Sequence, residues 1–295
     1  MEELIAADST FVNSMSQYGD AAIVVRGRPG SEAGDYYPGS TGVDTSCGAR
    51  NPLALSDAER ALVNFAGENF ETVIVLINSC TPIELKAVQD NDKVDAVLMI
   101  GEAGDNGFEA IGKILCGEVN PSGKLSESYP IAYEDCSTAN YFPARQRSVE
   151  YREGLYVGYR YYETAKVPVL FPFGFGLSYT SFEYADLKVT AQGAEFTLTN
   201  TGSVAGAEVA QLYVSARAPK VYRPAKELKG FAKVALEPGE TKQVSFSLTA
   251  RDLSYFEERM RDWFAPAGEY AVLVGNASDN APNLDKSEFL YIGEA

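Results

Sequence analysis

The chain has 295 residues, 45% of them apolar, which is enough for two domains that each bury a core. Its 41 acidic and 25 basic residues leave a formal net charge of −16. That field repels phosphate backbones and anionic membranes, so it argues against nucleic acid and membrane as partners and is indifferent to a neutral ligand. Histidine is absent, which excludes Ser-His-Asp triads, Cys-His dyads and His-built zinc sites. Acid–base chemistry near neutral pH therefore falls to carboxylates, Tyr, Lys or Cys, and neither metal nor cofactor is expected.

Residues 1–10 are acidic and hold no long apolar run, so no signal peptide is read there and a cytoplasmic location is the expectation. No stretch approaches the ~20 apolar residues of a spanning helix. Residues 21–26 (AAIVVR) end at Gly27, Pro29 and Gly30 and predict a buried strand feeding a loop. Ser56 followed by Glu59 is a capping-box pattern, with Leu62, Val63 and Phe65 as the apolar face of the helix it opens. Residues 72–78 (TVIVLIN) and 94–100 are near-continuous apolar runs of the kind found in parallel strands. A further helix is predicted over 108–115, closed by Gly117. The alternation is βαβ, a mostly parallel sheet. The cysteines (Cys47, Cys80, Cys116, Cys136) form no C-x-x-C pair; they are expected to be mostly reduced, with Cys80 and Cys116 as small core hydrophobes.

From residue 131 the texture changes. Tyr151, Tyr156, Tyr159, Tyr161 and Tyr162 crowd together, too apolar to stay solvated, and predict an ordered linker that packs across domain faces. After Ser178 the alternation has a period of two, as in Phe196-Leu198-Asn200, Val244-Phe246-Leu248 and Tyr270-Val272-Val274. Turn signals between these runs predict a β-sandwich of about seven strands. The expected class is α/β plus all-β: a partial α/β sandwich over 1–130, an aromatic-rich linker over 131–177, and an immunoglobulin-like β-sandwich over 178–295.

Several motifs resemble those of family 3 glycoside hydrolases. They are Val119-Asn120-Pro121-Ser122-Gly123-Lys124-Leu125, with Ser128-Tyr129-Pro130 after it; Tyr151-Arg152-Glu153-Gly154-Leu155-Tyr156-Val157-Gly158-Tyr159-Arg160-Tyr161-Tyr162; and Phe171-Pro172-Phe173-Gly174-Phe175-Gly176-Leu177-Ser178-Tyr179-Thr180. Further on, Asn200-Thr201-Gly202, Gln211-Leu212-Tyr213-Val214 and Lys226-Glu227-Leu228-Lys229-Gly230-Phe231 resemble the family's fibronectin-III-like domain. The resemblance covers nearly the whole chain. It implies a retaining β-glycosidase of β-glucosidase or β-xylosidase type, acting on an oligosaccharide or β-glycoside. In that family the nucleophile is an Asp on a (β/α)8 barrel, and no barrel is present here. The barrel is thus an implied partner, in cis or in trans, and the isolated chain is expected to be inactive or nearly so. The family usually has further strands before the one at Ala21, so the α/β domain reads as incomplete. Some members carry the barrel after the β-sandwich, and Gly101-Glu102-Ala103-Gly104-Asp105-Asn106-Gly107-Phe108 looks more like that branch.

A retaining glycosidase uses two carboxyl groups roughly 5–5.5 Å apart. The resemblance implies that the acid/base is a Glu on a loop of the α/β domain, and the loop after the first strand reads Gly27-Arg28-Pro29-Gly30-Ser31-Glu32-Ala33-Gly34-Asp35. Glu32 is the candidate general acid/base; a solvated loop glutamate is the competing reading. Asp35 is a candidate acceptor for a sugar hydroxyl, against a turn-stabilising role. Tyr36 and Tyr37 are candidates for stacking on a sugar ring. Arg26 and Arg28 stand near enough in sequence to pair with Glu32, which would hold it ionised. Glu102 and Asp105 are read as favouring a helix N-terminus, and Trp263, the single tryptophan, as packing in a core or interface. A non-catalytic carbohydrate-binding or assembly module is the alternative function, an adhesin a weaker third. A face left bare by the absent barrel makes a homo-oligomer possible.

Overall fold

The computed structural model describes residues 14–15, 17–28, 51, 53–141, 150–279 and 287–292. The chain divides into two compact units, Met1–Gly112 with Tyr129–Glu150, and Lys113–Ser128 with Tyr151–Ala295.

In the first unit β1 (Ala22–Gly27), β2 (Val73–Asn78) and β3 (Ala96–Met99) form a parallel sheet of order β1-β2-β3. The helix α1 (Asp57–Asn69) connects β1 to β2, and the short α2 (Lys86–Gln89) lies between β2 and β3. β2 is paired on both edges, which is why its sequence is apolar nearly throughout: Val73, Val75, Leu76 and Ile77 are all buried. β1 buries Val24 but leaves Ile23 52% and Val25 50% exposed. The capping box at Ser56 is formed, with Glu59 N–H donating to Ser56 Oγ at 3.2 Å and Ser56 N–H donating to Glu59 Oε2 at 2.7 Å. Helix α3 (Gly104–Leu115) opens four residues before the predicted Phe108. Gly101 and Gly104 adopt φ of +59° and +63°, which turns the chain out of β3 and sets Asp105 in the helix's first turn. The two-residue strand β4 (Tyr129–Pro130) also belongs to this unit.

In the second unit an antiparallel three-stranded sheet of order β10-β7-β6 accompanies a four-stranded one of order β14-β13-β8-β9. These are β6 (Phe182–Thr190), β7 (Gly193–Asn200), β8 (Gly206–Ala216), β9 (Glu227–Leu236), β10 (Thr241–Ser247), β13 (Gly268–Gly275) and β14 (Ser287–Tyr291). Phe196, Leu198, Leu212, Val244, Tyr270, Val272 and Val274 interdigitate as one core. Each such side chain contributes about 1.5–3 kcal/mol by leaving water. The expected partial α/β sandwich and β-sandwich are therefore both present. A hairpin of β11 (Tyr255–Glu257) and β12 (Asp262–Phe264) follows the short helix α5 (Ala250–Leu253), which comes after α4 (Tyr159–Ala165) and β5 (Val169–Phe171) along the chain.

The tyrosine-rich segment covers the outer face of the four-stranded sheet. Tyr213, Ala271 and Leu273 point away from the main core yet are buried, because Tyr159 and Phe173 pack on them. Tyr159 stacks on Phe173 at 4.9 Å between ring centres and meets Tyr213 edge-on at 5.8 Å. The Leu228 N–H donates to the Tyr159 hydroxyl at 2.8 Å.

Several sequence expectations fail, among them the full burial of β1, whose Ile23 and Val25 stand half exposed. Cys80 and Cys116 are exposed, since one follows the end of β2 and the other the last residue of α3, both beyond the apolar stretches that pack. Of the core or interface position expected for Trp263, the core is ruled out: it is 47% exposed on the β11–β12 hairpin. A three-residue strand in a two-stranded ribbon has no second layer to bury it.

Candidate active site

Glu32, Asp35, Tyr36 and Tyr37 lie outside the described residues, so the site is built from the root of their loop. That loop leaves the sheet at the C-terminal end of β1, where open parallel sheets place ligands. Arg26 and Arg28 both turn to Glu59. Arg26 Nη2 and Arg28 Nη1 share Glu59 Oε1, the latter at 2.5 Å, and Arg28 Nη2 donates to Glu59 Oε2 at 3.0 Å. Arg28 Nη2 also donates to the Ala54 carbonyl at 3.0 Å. Arg28 and Glu59 are both buried. Burial alone would raise the Glu59 carboxyl. The Arg28 hydrogen bonds, the Ser56 N–H and Arg26 outweigh that and bring it down to about 2.

The return side of the loop is fastened separately. Asn51 Oδ1 accepts from the N–H groups of Leu53 and Ala54, each at 2.9 Å, and Asn51 Nδ2 donates to Glu84 Oε1 at 2.7 Å. Glu84 Oε1 also accepts the Tyr133 N–H at 2.8 Å. Asn51 and Glu84 are buried, so these bonds hold where water does not compete. Sequence reading found Arg26, Arg28 and the capping role of Glu59. It missed that one carboxylate serves both, because nothing local reports a partner some thirty residues away.

The motifs that carried the family resemblance meet in the second unit. Asn120 Oδ1 accepts from Ser178 Oγ at 2.9 Å and from the Tyr179 N–H at 2.8 Å, and its Nδ2 donates to the Ala205 carbonyl at 3.0 Å. Lys124 Nζ reaches the Gly176 carbonyl and Glu208 Oε1, both at 2.8 Å. Lys226 pairs with Glu163 at 3.0 Å and lies 5.9 Å above the Tyr213 ring. Tyr213 Oη donates to Gln211 Oε1 at 2.5 Å, and Gln211 Nε2 donates to the Asn276 carbonyl at 2.7 Å and the Gly174 carbonyl at 3.3 Å. These contacts tie Asn120, Lys124, Gln211 and Lys226 into the packing of the second unit.

Other carboxylates have structural roles. Glu102 is exposed beside the start of α3, and Asp105 sits in that helix's first turn. A shallow groove of about 360 Å³ on the second unit is lined by Asn120, Ser122, Glu237, Glu240 and Lys242 among others. Its two glutamates shape their own turn, since Glu240 Oε2 accepts the Glu237 N–H at 2.8 Å and Glu240 Oε1 pairs with Lys242 at 3.1 Å. Glu127 differs, because burial pushes its carboxyl up to about 7. No sequence signal singles it out. Among the described residues no cluster of Cys, Asp and Glu is placed to hold a metal ion, and no helix is long and apolar enough to cross a membrane.

Comparison with known proteins gives this architecture its relations. Residues 6–179 match the glycosyl hydrolase family 3 C-terminal domain, and residues 208–278 match a fibronectin type III-like domain. The thermostable β-glucosidase B of Acetivibrio thermocellus is 38% identical over 88% of this chain and 34% of its own length. An exo-α-(1→6)-L-arabinopyranosidase of Bifidobacterium breve is 38% identical over 78% of this chain and 31% of its own. The solved structure of β-glucosidase 3B from Thermotoga neapolitana in complex with glucose superimposes with a TM-score of 0.83 at 35% identity, covering 97% of this chain and 39% of that one. The chain spans about a third of the length of these relatives. Its motifs, its two folded units and these matches agree: the chain belongs to glycosyl hydrolase family 3, of which it carries the C-terminal domain and a fibronectin type III-like domain.

Proposed function

We propose that the chain is the part of a retaining β-glucosidase that supplies the general acid/base, Glu32, to a nucleophile borne by a separate (β/α)8 barrel. The barrel carboxylate attacks the anomeric carbon while Glu32 protonates the departing glycosidic oxygen. Glu32, now ionised, then takes a proton from water as that water displaces the enzyme carboxylate. A general acid has to keep its proton at working pH, which two adjacent guanidinium groups would oppose. The observation that supports the assignment is the commitment of Arg26 and Arg28 to Glu59. Glu59 neutralises one of their two charges and holds both guanidinium groups by hydrogen bonds, and the strand from which the Glu32 loop departs is held. Asp35 and Tyr36 follow on the same loop as candidates for a hydroxyl contact and a stacking surface.

The test belongs in the protein joined to its barrel. Glu32→Ala is expected to slow aglycone departure by about 10²–10⁴-fold for poor leaving groups and much less for good ones. Added azide is expected to restore part of the rate as a glycosyl azide. A rate on poor leaving groups equal to that of the parent removes Glu32 from the role.

A further inference from the structure

The β11–β12 hairpin presents an aromatic surface that the scaffold of the second unit does not use. Phe256 and Trp263 are cross-strand partners and so share one face of the hairpin. Their ring centres are 5.7 Å apart, edge to face, and both rings stand about half exposed. The guanidinium of Arg251, on α5, lies 3.3 Å from the centre of the Trp263 ring. One face of the indole is therefore taken, and its exposed area belongs to the remaining face and edges. A ring held this way has little freedom to lose when something stacks on it. Two half-exposed aromatics on a short ribbon cost hydrophobic free energy without returning any core, and surfaces of this kind mark recognition sites.

The charges around these rings indicate what is recognised. The hairpin carries Glu257, Glu258 and Asp262 against Arg259 and Arg261, and α5 adds Arg251 and Asp252. This is a nearly balanced patch on a chain of net charge −16. A second copy of the chain would have to approach against like charge, as would an anionic ligand. A neutral ligand with an apolar face and a hydroxylated edge meets no such barrier. Its C–H groups lie against the negative faces of the rings, and its hydroxyls reach carboxylates and guanidinium groups that accept and donate.

We infer that the Phe256–Trp263 pair, backed by Arg251, is a stacking site for a pyranose ring of an oligosaccharide. The choice of a β-linked glucan rests on the β-glucosidase reading; the existence of the site does not. Trp263 is the only tryptophan, so its emission reports this surface alone. The 295-residue chain is titrated with cellohexaose, and in parallel with maltohexaose, while Trp263 fluorescence is followed. Saturable change in the millimolar range with cellohexaose is expected. Phe256→Ala should weaken it about tenfold, the size of one aromatic contact. Calorimetry on Trp263→Ala, whose fold is checked by circular dichroism, should show no binding. Response to maltohexaose alone would keep the stacking site and count against the β-glucoside reading. No response to either sugar, or binding that Phe256→Ala leaves intact, overturns the inference. Sedimentation showing a dimer that Phe256→Ala dissociates would assign the surface to a second copy instead.

Discussion

Glu59 carries more of the first unit than its place in a helix signature suggests. One carboxylate completes the capping box of α1 and accepts from Arg26 and Arg28, so a single change removes three supports. Glu59→Gln is expected to cost about 3 kcal/mol, because it leaves two guanidinium groups without their counter-charge, one of them buried. The pH dependence follows from the lowered carboxyl. The folded group titrates near 2 and the unfolded one near 4.5, so this stabilisation is complete above pH 4.5 and is lost as pH falls towards 2. Urea unfolding of parent and variant at pH 7 and pH 3 should show the gap between them narrowing at the lower value. Glu127 has the opposite sign. Burial raises it to about 7, so the folded state binds its proton more tightly, and stability is lost as pH rises from 4.5 through 7. Glu127→Gln should leave stability unchanged at pH 4 and raise it by about 1–2 kcal/mol at pH 8, allowing for partial exposure. Equal curves at pH 8 would show that the carboxyl is better solvated than this. The capping role of Glu59 was legible in the sequence because Ser56 and Glu59 are three residues apart. The depression of its carboxyl and the elevation of Glu127 were not, since both come from side chains and burial that only the fold assembles.

At the scale of elements, the clearest gain over the sequence concerns the tyrosine-rich stretch. Its composition predicted packing, and the structure shows what it packs on: the outer face of the four-stranded sheet, through Tyr159 and Phe173 against Tyr213 and Leu273. Gly174 is the hinge of that arrangement. Its φ of +83° is one that other residues reach only with strain, and a Cβ there would meet the Gln211 carboxamide. Gln211 cannot yield without loosening its bonds to Asn276 and Tyr213. Gly174→Ala is therefore expected to destabilise the second unit by roughly 3 kcal/mol, combining the backbone strain with a buried hydrogen bond lost. Thermal unfolding, with hydrogen exchange of the β8 and β13 amides, checks this. An unshifted transition would mean that the segment repacks around the new methyl group. The main strands were readable because alternation marks a half-buried strand and an apolar run a parallel one, but only β2 of the three apolar runs is paired on both edges. The start of α3 was misplaced because its first turn is Gly-Asp-Asn-Gly, a sequence with turn character and no apolar face.

For the molecule as a whole, the proposed chemistry needs carboxyl groups from two domains. The purified 295-residue chain is accordingly expected to release no aglycone from an aryl β-glucoside above the buffer rate, and adding the family's barrel as a separate polypeptide is the condition under which activity should appear. Turnover by the chain alone, persisting in Glu32→Ala, would place the nucleophile and acid elsewhere.

By itself the sequence determined the class of each half, the strand runs, the capping of α1 and the membership of the family, because these depend on periodicity and on motifs a few residues long. The tertiary structure alone decided that Arg26 and Arg28 answer to Glu59, that Asn120, Lys124 and Gln211 of the family motifs bond to groups far along the chain, that Cys80 and Cys116 lie at the surface, and that Trp263 stands out on a hairpin. Each of these depends on groups distant along the chain, or on whether a second layer covers a strand. Local pattern carries neither kind of information, because burial and pairing are properties of the packed chain and not of the residue.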